Sequence, residues 1–129
     1  MKLSSVSTLL LAATLTCTGA FAAEMQPYSP EAVRVAVAQA RPLVYHVHAT
    51  WCPVCAKQDK VLETLLKEDA FKDYVFIQVD FDRDKPMVET LGAKMQSTFV
   101  VAKGGNEVAR TTGVTDPEKL RALLLKAGY

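Results

Sequence analysis

The sequence predicts a single α/β domain: a central mixed sheet of about four strands flanked by helices, in the order α-β-α-β-α-β-β-α. Three observations carry this reading. Nearly continuous apolar runs at residues 43–49 and 74–80 alternate along the chain with segments of helical periodicity, the pattern of parallel strands joined through helices. Two further strand-like runs, 98–102 and 107–112, flank Lys103-Gly104-Gly105-Asn106 and read as a β-hairpin, which adds an antiparallel edge. A chain of 129 residues, half of them hydrophobic, supplies one core and no second one.

Along the chain, residues 24–28 look like a loose leader. Ser29-Pro30-Glu31 starts a helix: serine caps, proline suits the first helical position, and glutamate favours the positive end of the dipole. This helix should run to about Gln39, with Val33, Val37 and Ala40 toward the core, and Pro42 ends it. Residues 43–49 are apolar except for His46 and His48, as expected of a strand covered on both faces. Val61, Leu62, Leu65 and Leu66 then recur at helical spacing, so Trp51-Cys52-Pro53-Val54-Cys55 lies where a strand hands over to a helix. In residues 74–80, Val75, Ile77 and Val79 alternate with Phe76 and Gln78. A short helix at residues 86–91 ends at Gly92. Asp116-Pro117-Glu118 starts a last helix with Leu120, Leu123 and Leu124 on its apolar side. The chain shows no internal repeat and no linker.

Residues 1–22 read as a secretory signal peptide. Lys2 provides the positive start, residues 6–15 the apolar stretch, and Ala20-Phe21-Ala22 the small-x-small cleavage site. The apolar stretch is too short to span a bilayer, and nothing else in the chain could do so. The expected mature protein, residues 23–129, is therefore periplasmic or secreted, with no membrane span. Cleavage removes Lys2 and Cys17, which leaves acids and bases balanced and only Cys52 and Cys55 as cysteines. Such a balance excludes a nucleic-acid binder, which needs a surplus of Lys and Arg against phosphates. Export places the cysteine pair where disulfides persist. A bridge closing only four residues constrains the unfolded chain little, so a purely structural role explains it poorly.

A Cys-x-x-Cys at a helix start has a specific chemical use. Thiolate is the nucleophile, and the positive helix end lowers the thiol pKa. Cys52, nearer the helix end and the solvent, should attack; Cys55, one turn deeper, should resolve the mixed disulfide. Pro53 stiffens the turn, Val54 adds neither charge nor hydrogen bond, and Trp51 should shield the pair and offer a flat face to a partner. The competing reading is a metal-binding protein or metallochaperone, whose soft thiolates would favour Cu(I) or zinc. A closed zinc site needs four ligands and the chain has no second cysteine pair. His46 and His48 are expected on opposite faces of their strand, so at most one could join the cysteines. A binding module with a permanently oxidised pair is a third reading.

The segment Ala49-Thr50-Trp51-Cys52-Pro53-Val54-Cys55 resembles the active-site region of the thioredoxin superfamily. A second anchor, Gly92-Ala93-Lys94-Met95-Gln96-Ser97-Thr98-Phe99-Val100-Val101-Ala102-Lys103-Gly104-Gly105, resembles the family's segment before its hairpin, and Gly113 matches a family glycine after the last strand. The resemblance covers about residues 30–128 and is greatest to small exported members. It implies a thioredoxin-like fold and exchange of a Cys52–Cys55 disulfide with protein thiols or disulfides. No soluble cofactor is implied, because the cysteine pair carries the electrons.

Three positions depart from the family pattern. Ser97 stands where the family carries a cis-proline facing the cysteines; a non-proline cis bond costs about 2.5–4 kcal/mol, so a trans bond is expected. The serine hydroxyl is available to bond near the sulfurs. His46 aligns with the family's buried acid, which assists proton removal from the inner cysteine, and Phe76 with that acid's lysine partner. His46, with an unperturbed pKa near 6.5, is either a substitute base or a core histidine bonded to backbone. Tyr45 and His48 read as packing or surface residues, and Met87 and Met95 as core or rim fillers. The chain lacks both a histidine between its cysteines and the inserted helical domain of DsbA-type oxidases. The expected direction is that of a reductant or relay, served by a membrane or periplasmic electron-transfer partner.

Overall fold

The computed structural model describes residues 22–128, so the expected signal peptide, Cys17 included, lies outside the described residues apart from Ala22. Nine elements build the domain: β1 (Met25–Pro27), α1 (Pro30–Ala38), β2 (Leu43–His48), α2 (Pro53–Leu65), β3 (Val75–Asp80), α3 (Lys85–Thr90), β4 (Thr98–Lys103), β5 (Asn106–Thr112) and α4 (Pro117–Leu124). Single 3₁₀ turns follow at Asp69–Phe71 and Leu125–Ala127. The sheet order is β1-β3-β2-β4-β5. β1, β3 and β2 run parallel, and β4 and β5 complete the sheet antiparallel.

The mixed sheet and the helix–strand alternation are those the sequence predicts. Ser29 caps α1 by accepting the Ala32 N–H at 3.0 Å, and Asp116 caps α4 through the Lys119 N–H at 2.9 Å. The hairpin turn is Gly104-Gly105, with φ of 58° and 80°. Positive φ at both central residues matches the right-handed twist of the flanking strands, and glycine reaches it without steric cost.

The leader is the first correction. Met25–Pro27 forms an edge strand, with Met25 opposite Phe76 on β3 and the Tyr28 N–H donating to the Gln78 carbonyl at 2.9 Å. The sheet therefore has five strands. Three residues with one partly buried side chain carry no legible alternation. β1 exists because the outer edge of β3 offers unpaired backbone groups, a property of the assembled sheet. The second correction concerns α1. It turns Ala32, Val33 and Ala36 inward, whereas Val37 is exposed and Ala40 lies past the helix end in a left-handed conformation, φ 52°. Valines and alanines at several helical offsets offered more than one apolar stripe.

Alternation along the strands divides the core into two layers. Val44, Phe76, Phe99 and Val101 pack with Leu62 and Leu65 of α2 and Leu120 and Leu124 of α4. Tyr45, Val47, Ile77, Val79 and Val100 pack on the opposite face with Ala36 of α1 and Met87 and Val88 of α3. Phe76, at the position where the resemblance places a lysine, is fully buried among apolar side chains. β2 is central, and its C-terminal end delivers the chain to the start of α2.

Candidate active site

α2 begins at Pro53 with Cys52 as its N-cap. The two cysteines form a disulfide with a Cα–Cα separation of 5.2 Å, within the ordinary range. The Cys55 N–H donates to Cys52 Sγ at 3.1 Å, so an unpaired amide of the first helical turn points at the outer sulfur. This is the geometry that stabilises a thiolate once the bridge opens. Pro53 gives up no hydrogen bond at its helical position, where the N–H has no intrahelical partner. Val54 packs, half-buried, against the Ala49, Cys52 and Cys55 cluster.

Cys52 is only 3% exposed and Cys55 not at all, so the order holds but both sulfurs are largely covered. Trp51 is 58% exposed, and its Nε1–H donates to Asp82 Oδ2 at 2.8 Å. That bond fixes the indole as an outward apolar face at the helix start. Met95 is also exposed, whereas Met87 is core.

Ser97 is buried, and there is no cis peptide bond among the described residues, as expected of a serine. Its φ of 59° is unusual for a residue with a Cβ. Its hydrogen bonds here run through its carbonyl rather than its hydroxyl: the Gln58 side-chain amide donates to it at 3.1 Å and the Gly113 N–H at 2.9 Å.

The two histidines are the third correction. Residues two apart on a strand share a face. His46 and His48 accordingly both point toward α2, with ring centroids 5.3 Å apart. His46 is fully buried and stacks on Phe99 at 4.3 Å. It is not bonded to backbone. Its Nε2 meets Gln58 Oε1 at 2.9 Å, and the Gln58 amide hydrogens go to the carbonyls of Ser97 and Val114. With that amide orientation, His46 Nε2 carries the proton and donates. Nδ1 is then unprotonated, buried and without a hydrogen-bond partner. His48 Nε2 donates to Asp59 Oδ2 at 3.0 Å, and the other Asp59 oxygen lies 3.8 Å from His46 Nδ1. Tyr45 is a buried packing residue on the opposite face. Among the described residues, no three His, Cys, Asp or Glu side chains converge as a metal-ligand set.

Comparison with known proteins agrees with this geometry. A family model described as Thioredoxin-like domain matches residues 29–128. The chain belongs to that thioredoxin-like family. A crystal structure of Trxlp from Edwardsiella tarda EIB202 is 35% identical, with a TM-score of 0.76 over 78% of this chain and 98% of that one. A thioredoxin of Malassezia sympodialis is 32% identical over 59% of this chain and 71% of its own length. Thioredoxin H2-1 of rice (Oryza sativa subsp. japonica) is 36% identical over 59% of this chain, which spans about half (54%) of that relative. Family, fold and the Cys52–Cys55 bridge together support thiol–disulfide oxidoreductase chemistry.

Sequence reasoning missed Gln58 and Asp59 in this thioredoxin-like domain. Gln58 left a readable trace, being the polar residue in the otherwise apolar stripe Cys55, Gln58, Leu62, Leu65 that α2 buries. A glutamine placed there must have buried partners. Asp59 left none, since one carboxylate on a helix reads as a solvated residue.

The buried imidazole has a consequence for stability. Burial, above all, lowers the His46 pKa from 6.5 to about 4, with the Gln58 bond opposing the shift. The unfolded chain therefore takes up the proton at a higher pH than the native one. Stability present above pH 6.5 should be lost as the pH falls toward 4, by roughly 3 kcal/mol at full extent. Urea midpoints measured from pH 7 to pH 4 check this, and His46→Gln should remove most of that acid slope.

Proposed function

We propose that this chain is an exported thiol–disulfide oxidoreductase that exchanges its Cys52–Cys55 dithiol and disulfide with protein substrates, as a reductant or relay. The observation that carries the mechanism is the Cys55 N–H aimed at Cys52 Sγ at the start of α2. Cys52 attacks as thiolate and forms a mixed disulfide with the client. Cys55 then attacks Cys52 Sγ and releases the reduced client. Trp51, Pro53, Val54 and the backbone at Ser97 shape the surface against which the client docks. The signal-like residues 1–22 support a periplasmic or secreted location, with the mature chain starting at Ala23. Among the described residues no helix is long and apolar enough to cross a membrane. A reductant at that location needs electrons supplied by a membrane or periplasmic partner.

The direction rests on Val54, which leaves the pair without the histidine found between the cysteines of strong oxidants. The test is the reduction potential of residues 23–129 against glutathione buffers. We expect a value near or below about −270 mV, that of thioredoxin. A value near about −120 mV would make the protein a donor of disulfides to folding clients.

A further inference from the structure

The first residue of the expected mature chain is part of the core. Ala23 is buried in the layer that holds Leu62, Leu65 and Phe71, whereas Ala22 before it is exposed. Burial thus begins at the residue after the small-x-small pattern Ala20-Phe21-Ala22. The Ala23 N–H donates to the Leu66 carbonyl at 3.1 Å. Leu66 is the C-cap of α2, so this carbonyl lies at the negative end of a thirteen-residue helix. The last turn of α2 carries Glu63 and no basic side chain. Its partner at this end comes instead from the other end of the chain.

We propose that the α-ammonium group released at Ala23 binds the C-terminal end of α2, as the cation that this helix end otherwise lacks. This rests on the reading of residues 1–22 as a cleaved leader. A peptidase adds one water across the Ala22–Ala23 bond, so Ala22 leaves with a carboxylate and Ala23 keeps the ammonium. Before cleavage the nitrogen is an amide with one N–H and no charge. Afterwards it carries a positive charge and three N–H groups in the same place. One stays on the Leu66 carbonyl, and the charge meets the negative end of the helix dipole. Processing therefore tightens the domain. β1 starts two residues on, with Met25 opposite Phe76, so a held N-terminus also holds the edge strand.

The side chains around Ala23 leave the decision to the helix end. Glu24, Glu63 and Lys67 line one groove beside it, and Glu24, Arg41, Lys72 and Tyr74 line a second. Arg41 donates to the carbonyls of Asp73 and Tyr74, and the Tyr74 hydroxyl donates to the Leu124 carbonyl. Lys67 and Lys72 oppose a new positive charge, Glu24 and Glu63 favour it, and all four are exposed. Their effects nearly cancel and are screened by water. An amine held at a helix C-terminus keeps its proton more firmly in the folded chain than in the unfolded one. Its contribution is complete below the unfolded pKa of about 7.7–8.0 and is lost as the pH rises through the folded value.

The test compares residues 23–129 carrying a free Ala23 amine with the same chain acetylated at that nitrogen. Acetylation keeps one N–H and removes the charge. It adds no clash, because the structure already seats an acyl group there, that of Ala22. In urea at pH 6.5 the free-amine form should show a folding constant about fivefold larger, falling to parity by pH 10. Amide exchange at Tyr28, whose N–H bonds the Gln78 carbonyl, should be slower in the free-amine form at pH 6.5. His46 titrates alike in both forms and cancels in the comparison. Equal folding constants at pH 6.5 overturn the proposal. An advantage that persists undiminished at pH 10 also overturns it, since charge is then not its source. The mass of the exported protein, made from the full-length chain, is read separately. A first residue other than Ala23 would sink the reading of the leader whichever form is more stable, so the two failures are distinguishable.

Discussion

Cys52→Ser should abolish disulfide exchange, lowering the rate by roughly three orders of magnitude or more, while the domain stays folded. The first step needs a thiolate at the helix start, and a serine hydroxyl cannot ionise there at working pH. The fold does not depend on the bridge: a four-residue loop restrains the unfolded chain by about 2 kcal/mol in the chain-entropy account, whereas two apolar layers hold the sheet. Cys55→Ser separates the two roles, because it should still attack and then accumulate the mixed disulfide. Insulin reduction, with mass spectrometry of the trapped species, reads both results. Retained exchange in Cys52→Ser, with trapping there instead, would reverse the assignments.

Gln58→Leu should destabilise the domain by about 3 kcal/mol. The two side chains are similar in volume, so no large cavity opens. The loss comes from polar groups left without partners: the His46 Nε2–H and the Val114 carbonyl lose their bonds, while the Ser97 carbonyl keeps the Gly113 N–H. A buried group stranded in this way costs about 1–3 kcal/mol. The residue also ties β2 to the loops before β4 and after β5, so the segment holding Ser97 should loosen along with the imidazole. Urea denaturation gives the first effect, and amide hydrogen exchange at Ser97 and Gly113 the second. A loss below about 1 kcal/mol would mean that water replaces the glutamine amide.

What was legible in the sequence was local. The apolar runs of β2 and β3, the caps at Ser29 and Asp116, the glycine pair of the hairpin and the Cys-x-x-Cys at a strand-to-helix junction are short-range patterns. They therefore specified the fold and the place of the cysteine pair without reference to the rest of the chain. The apolar Phe76 belongs with them, since a core strand next to a helix layer has room for a phenyl ring and no charge to pair a lysine.

Other features depended on pieces distant in sequence meeting in space. β1 formed because β3 had an open edge, and α1 chose its inward stripe by how it seated on the sheet. Trp51 turned outward because Asp82, 31 residues away, accepts its N–H. The reach of His46 could be read only partly: its place on the central strand was plain, but its role depended on which residue of α2 lay opposite. Alternation put His46 and His48 on one face, and the fold then set Gln58 and Asp59 against them. A buried polar atom must find its partner wherever the tertiary structure brings one. The sequence by itself therefore determined where the cysteine pair sits in the fold, and only the tertiary structure decided which polar groups surround the buried imidazole.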